Sequence, residues 1–180
     1  MYEVEVKVPA HLATVADRLA DLGAERTRTV VQEDTYYDAP HRDFAETDEA
    51  LRVRRETREG TTTARMTYKG PLVDDESKTR TEVETGVDDG DDADVLFRNL
   101  GFDPVATVEK DRRFYSYDGY TVTLDAVEGV GEYVEVETEV ESEDAVEAAR
   151  EGAYGVLRDL GLDPADQRRT SYLGMLLDDS

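Results

Sequence analysis

The sequence predicts an α+β fold, an eight-stranded antiparallel β-barrel flanked by helices. Three observations carry this. Eight short segments alternate apolar with charged residues at the two-residue period of a strand. Turn residues punctuate them at Gly60, Gly70-Pro71, Asp118-Gly119 and Gly129-Val130-Gly131, and Asp-Gly is a strong hairpin signal. Four other segments carry apolar residues at helical spacing and need a sheet surface to cover.

In chain order, Val4, Val6 and Val8 alternate with Glu3, Glu5 and Lys7, which gives a first strand at 2–8. Pro9 opens a helix through Leu12, Val15, Ala16, Leu19 and Leu22, and Gly23 closes it. Strands follow at 25–38, 50–57, 62–69 and 79–87, then a helix at about 91–100. Three more strands occupy 106–117, 120–127 and 132–141. A helix at 143–160 carries Ala145, Val146, Ala149, Tyr154, Val156, Leu157 and Leu160. A last helix follows Asp163-Pro164 and runs through Tyr172, Leu173, Leu176 and Leu177. No repeat or linker interrupts the chain, so residues 1–180 read as one domain whose C-terminal helices, about 143–178, pack on the barrel.

Composition narrows the function. The 180 residues hold 44 acids against 21 bases, a net charge of −23, and no cysteine. Disulfides, thiolate nucleophiles and Cys-ligated zinc are excluded. An acid excess of this size argues against nucleic-acid binding, which rests on basic patches. Neither a long apolar stretch nor a basic-apolar leader is present, so we expect no membrane partner and a cytoplasmic location. Only four lysines occur (Lys7, Lys69, Lys78, Lys110), against seventeen arginines. That pattern suits a halophilic organism's salty cytoplasm, where screening removes self-repulsion.

The charged faces of the strands have definite signs. Bases stand at Lys7, Arg52, Arg54, Lys69, Arg80, Lys110 and Arg112, and acids at Glu3, Glu5, Glu82, Glu84, Asp125, Glu135 and Glu137; Arg65 is left aside. A half-buried sheet with ion pairs on its outer face is the simpler reading. The helix count argues against it, because helices must cover apolar faces and the charges then point inward. Three of the four lysines lie on that inner face. A lumen so charged is costly when dry, and a polyphosphate with a divalent cation would balance it. Arginine and lysine clamp phosphate oxygens. Carboxylates at i and i+2 share a face and supply the oxygen ligands that Mg²⁺ or Mn²⁺ prefers.

These residues resemble the CYTH superfamily of triphosphate tunnel metalloenzymes, which groups class IV adenylate cyclases and thiamine triphosphatases. Glu3-Val4-Glu5-Val6-Lys7 is similar to its E-x-E-x-K signature. The likeness continues through Gln32 to Asp38, Glu49 to Arg54, Tyr68 to Pro71 and Lys78 to Glu84. It resumes at Glu109 to Arg112, Leu124-Asp125, Gly131 to Glu137 and Ser171-Tyr172-Leu173. The resemblance implies metal binding by Glu3, Glu5, Asp125, Glu135 and Glu137. It implies phosphate binding by Lys7, Arg52, Arg54, Lys69, Lys110 and Arg112, with Arg80 as a further substrate contact. Glu82 and Glu84 line the same tunnel. Lys7, Lys69 and Arg112 are the catalytic candidates, neutralising charge as it develops.

Two reactions use such a clamp. Hydrolysis would act on inorganic, nucleoside or thiamine triphosphate. Class IV cyclisation would convert ATP to cyclic AMP and pyrophosphate. The stretch from Gln32 to Arg54 looks most like class IV cyclase sequences. The doubled arginine Arg52/Arg54 and doubled acid Glu135/Glu137 look more like the triphosphatase branch, so hydrolysis is preferred. A non-catalytic polyphosphate- or nucleotide-binding module is a second alternative, and a homodimer is left open.

Other signals carry less. His11 and His41 lack metal-ligand spacing and read as surface residues. The acidic run Asp88 to Asp94 reads as a loop and helix N-terminus, with Gly90 where a calcium loop needs a ligand. Gly129-x-Gly131 is a hairpin turn, and of Tyr36 and Tyr37 one belongs to the core.

Overall fold

Successive residues of each strand point to opposite faces, and a closed barrel sends each face to a single destination. The computed structural model describes residues 1–178. Its strands are β1 (Tyr2–Pro9), β2 (Glu25–Asp38), β3 (Ala50–Arg58), β4 (Thr61–Leu72), β5 (Lys78–Val87), β6 (Asp103–Tyr117), β7 (Tyr120–Val127) and β8 (Gly131–Val140). They close in the order β1-β5-β4-β3-β2-β6-β7-β8, all antiparallel. The helices are α1 (Leu12–Asp21), α2 (Phe44–Thr47), α3 (Gly90–Asn99), α4 (Val146–Asp159) and α5 (Tyr172–Asp178). Among the described residues no helix is long and apolar enough to cross a membrane.

The apolar faces of β1, β7 and β8 point outward, and α1 and α4 cover them. Val6 and Val8 of β1, Val122 and Leu124 of β7, and Val134 and Val136 of β8 pack with Leu12, Val15 and Leu19 of α1 and Ala153, Val156 and Leu157 of α4. A second cluster joins Tyr37, Val53 and Ala93 under α3. Tyr37 is therefore the core member of its pair, and its hydroxyl donates to Asp94. Asp89 caps α3 by accepting from the Asp91 and Asp92 N–H groups.

Several boundaries differ from expectation, each for a physical reason. Pro9 ends β1, and the helix starts at Leu12, whose N–H donates to Glu132 Oε1. Gly70-Pro71 is not a turn. β4 runs through it with a register shift between Lys69 and Leu72, and a Cβ at Gly70 would lie 2.5 Å from Thr81 Oγ1. α2 was not expected; it is one turn capped by Asp43. The C-terminal helix is much shorter than read. One 3-10 turn, Pro164–Asp166, starts at the proline, and residues 167–171 are neither helix nor strand before α5. Tertiary bonds hold that stretch open: the Arg168 N–H donates to the Lys7 carbonyl, and Arg169 donates to the Asp74 and Ser77 carbonyls.

Candidate active site

Inward positions on each strand recur every second residue, so the register decides which charges meet. On β1, Glu5 stands opposite Lys78 of β5 and Glu137 of β8, while Lys7 stands opposite Glu135. Lys78 Nζ donates to Glu5 at 2.7 Å. All four lysines therefore point inward, one more than the sequence reading placed there. The missed signal was parity: Lys78 lies two residues before Arg80 on the same strand.

Around these strands the acids outnumber the bases. Glu3, Glu5 and Glu137 each bring a carboxylate oxygen within 4.8 Å of the others. Glu3 accepts from Lys69 at 2.8 Å, and Lys69 also lies 3.1 Å from Glu82. Burial pushes the Glu3 pKa up, but the Lys69 ammonium, hydrogen bonds with Glu82 and Lys69, and the Arg52 charge together outweigh it and hold the group at about 2. Glu82, on the other flank of that lysine, is pushed up to about 7, first by burial and then by Glu3. Glu137 is pushed up to about 8, by burial and by the Glu3 charge. A buried carboxylate that resists ionising beside two others is a place short of positive charge. An oxygen-liganded divalent cation fits it.

The opposite wall, from β2, β3 and β6, has the reverse imbalance. Arg54 grips Asp34 through Nε and Nη2, both at 2.7 Å. Lys110 Nζ lies 3.4 Å and Arg52 Nη1 3.9 Å from the same carboxylate. Burial opposes charge on Asp34, yet these cations hold it well below the usual carboxylate range. Lys110 is itself pushed down to about 7, by burial and by its neighbour Arg112. Sequence reading quoted Asp34 only as part of a motif; its parity with Gln32 and Tyr36 was the available clue.

Not every expected metal ligand joins the triad. Arg112 takes Asp125 with two bonds of 2.6 Å and Glu135 with one of 2.7 Å. Asp125 also accepts from the Tyr172 hydroxyl at 2.7 Å and is fully buried. The structure therefore brings Glu3, Glu5 and Glu137 together and places Asp125 and Glu135 on Arg112. Arg80 is tied to the Gly70 carbonyl and to Asp48. Glu84 accepts from Arg65 and Thr67.

One end of the lumen is apolar. Tyr36, Val108, Val127 and Tyr133 cluster there against Tyr172 and Leu173 of the C-terminal helix. The Tyr172 ring lies 4.4 Å from Lys7 Nζ and 5.2 Å from Lys110 Nζ. Lys7 is fully buried and donates to the Thr170 carbonyl. Burial, then the charge of Lys78, pushes it down to about 7. Below this stopper runs a cavity of about 620 Å³, in the range of small-molecule sites. Arg52, Arg54, Lys69, Lys110 and Arg112 line it with the acidic triad.

The CYTH domain matches residues 1–172 of this chain. The chain belongs to the CYTH family. Among CYTH relatives, MJ0240 of Methanocaldococcus jannaschii, named as a candidate adenylate cyclase, is 36% identical over 174 residues, covering 96% of this chain and 97% of its own. Adenylate cyclase CyaB of Aeromonas hydrophila is 28% identical over 141 residues, covering 78% and 70%. The solved structure of PH1819 from Pyrococcus horikoshii OT3 superposes with a TM-score of 0.93 at 40% identity, covering 99% of each chain.

Proposed function

We propose that this CYTH protein is a divalent-metal-dependent hydrolase that binds a triphosphate along its charged tunnel. The observation that carries the reading is the polarised lumen. Arg52, Arg54 and Lys110 share Asp34 on one wall, while Glu3, Glu5 and Glu137 crowd the other. A triphosphate laid against the first and a cation against the second would neutralise both at once.

Glu3, Glu5 and Glu137 are the residues that would hold Mg²⁺ or Mn²⁺. Such an ion polarises phosphoryl oxygens and lowers the pKa of bound water. Asp125 and Glu135 would act behind them by fixing Arg112. Arginine donors on the phosphate oxygens, from Arg52, Arg54 and Arg112, would balance charge as it spreads in the loose transition state of phosphoryl transfer. Lys69 would do the same from the β4 side. Lys7, behind Tyr172, would add to the field without lining the cavity.

The doubled residues Arg52/Arg54 and Glu135/Glu137, which resemble the triphosphatase branch, favour hydrolysis. The names of the two relatives favour the second reading, cyclisation of ATP to cyclic AMP and pyrophosphate. One assay panel separates them: ATP, inorganic triphosphate and thiamine triphosphate with Mg²⁺ or Mn²⁺, resolving phosphate, pyrophosphate and cyclic AMP. Release of phosphate supports the proposal. Cyclic AMP with pyrophosphate replaces it by the second reading, and binding without turnover overturns both.

A further inference from the structure

Asp34 is the least exposed acid of the cationic wall, at 0% accessibility, and it does not line the cavity, whereas Arg52, Arg54 and Lys110 do. It therefore sits behind the phosphate-facing groups. The β2–β3 register sets it directly opposite Arg54, and the next inward residues of its own strand are Gln32 and Tyr36. Both carboxylate oxygens are engaged by the Arg54 fork, which leaves Arg54 Nη1 outside the pair. Arg52 Nη1 is held between Asp34 and the Tyr36 hydroxyl, while its buried Nε has no partner among the described residues.

We infer that Asp34 is a positioning residue for phosphate binding, holding Arg52, Arg54 and Lys110 so that their remaining donors present one preformed surface to the tunnel. The inference rests on the triphosphate reading. Its chemistry is preorganisation: three like charges brought together repel, and a shared counter-ion fixes both their spacing and their orientation. The group never touches the ligand. Plain charge counting makes the opposite forecast, because removing an acid from a cationic wall should tighten its hold on an anion.

Calorimetric titration of inorganic tripolyphosphate into metal-free wild type, D34N and D34E tests this, with Mn²⁺ titration as a second readout. We expect D34N to bind tripolyphosphate at least tenfold more weakly, with Mn²⁺ affinity unchanged and D34E intermediate. In turnover of whichever triphosphate the wild type accepts, KM should rise far more than kcat falls. Equal or tighter tripolyphosphate binding by D34N overturns the inference, as does a parallel loss of Mn²⁺ affinity, the mark of general structural damage. If D34N does not melt cooperatively, D34E carries the test, since it keeps the charge but displaces it by one methylene. Unchanged tripolyphosphate binding in D34E then overturns the idea. A wild type that ignores tripolyphosphate overturns the triphosphate reading itself.

Discussion

Tyr172 and Asp125 are joined by a hydrogen bond of 2.7 Å between residues 47 positions apart, and it anchors the C-terminal helix inside the barrel. The acceptor is the same carboxylate that orients Arg112. Tyr172→Phe removes the donor and keeps the ring. We expect a loss of about 1–3 kcal/mol, the usual cost of stripping a partner from a buried polar group. Melting should fall by roughly 2–4 °C per kcal/mol for a chain of this size. An unchanged melting temperature would show that the ring alone seats the helix.

Glu137→Gln should move two measurements in opposite directions. Without metal the variant should melt higher than wild type, because a carboxylate is removed from beside Glu3 and Glu5. Its Mn²⁺ affinity should drop at least tenfold, and the stabilisation that Mn²⁺ gives the wild type should vanish with it. A variant that still binds Mn²⁺ like wild type would remove Glu137 from the metal site.

Lys110 gives the pH dependence. Its ordinary value is 10.5 and the fold holds it at about 7, so it loses its proton as pH rises from 6 to 8. An anion that needs the ammonium binds best below 7 and loses affinity above it. The ligand's own ionisation runs the other way, adding negative charge as pH rises, so the informative comparison is with Lys110→Arg, which stays charged. Tripolyphosphate affinity should fall from pH 6 to 8 in wild type relative to that variant. Parallel pH profiles would exclude Lys110 from the contact.

Two glycines of α4 should respond oppositely to alanine. A Cβ at Gly152 would lie 1.9 Å from the Tyr120 hydroxyl, which donates to the Ala149 carbonyl, whereas nothing lies within 4 Å of one at Gly155. Gly155→Ala should gain up to about 1 kcal/mol of helix propensity. Gly152→Ala should lose about 1–3 kcal/mol to overpacking. Denaturant midpoints of the two variants decide it.

The barrel was legible because alternation is a local signal repeated eight times, and because helices need apolar surface to cover. That reasoning also turned the charges inward. What it could not supply was register. Whether Glu5 meets Lys78, Glu137 or both depends on how β1 closes the sheet, and no residue near Glu5 encodes that. The same limit separated the acids. On β8, Glu135 and Glu137 look equivalent, but one lies beside Arg112 and the other beside Glu3 and Glu5. The non-helical stretch before α5 was unreadable for a similar reason: it is held by bonds to the carbonyl and the ammonium of Lys7, more than 150 residues away in the chain.

Because β1 lies between β5 and β8, it closes the sheet against partners more than 70 and more than 120 residues further along the chain. Glu3 and Glu5 meet Glu137 only when β1 and β8 pair. Assembly of the acidic triad and completion of the sheet are then one event, with a large loop to close beforehand, and topologies of that kind fold slowly. Until it happens, the paired edges of β5 and β8 lie bare, and apolar residues meant for α1 and α4 face solvent. The most vulnerable interval in folding is therefore the one before β8 pairs with β1.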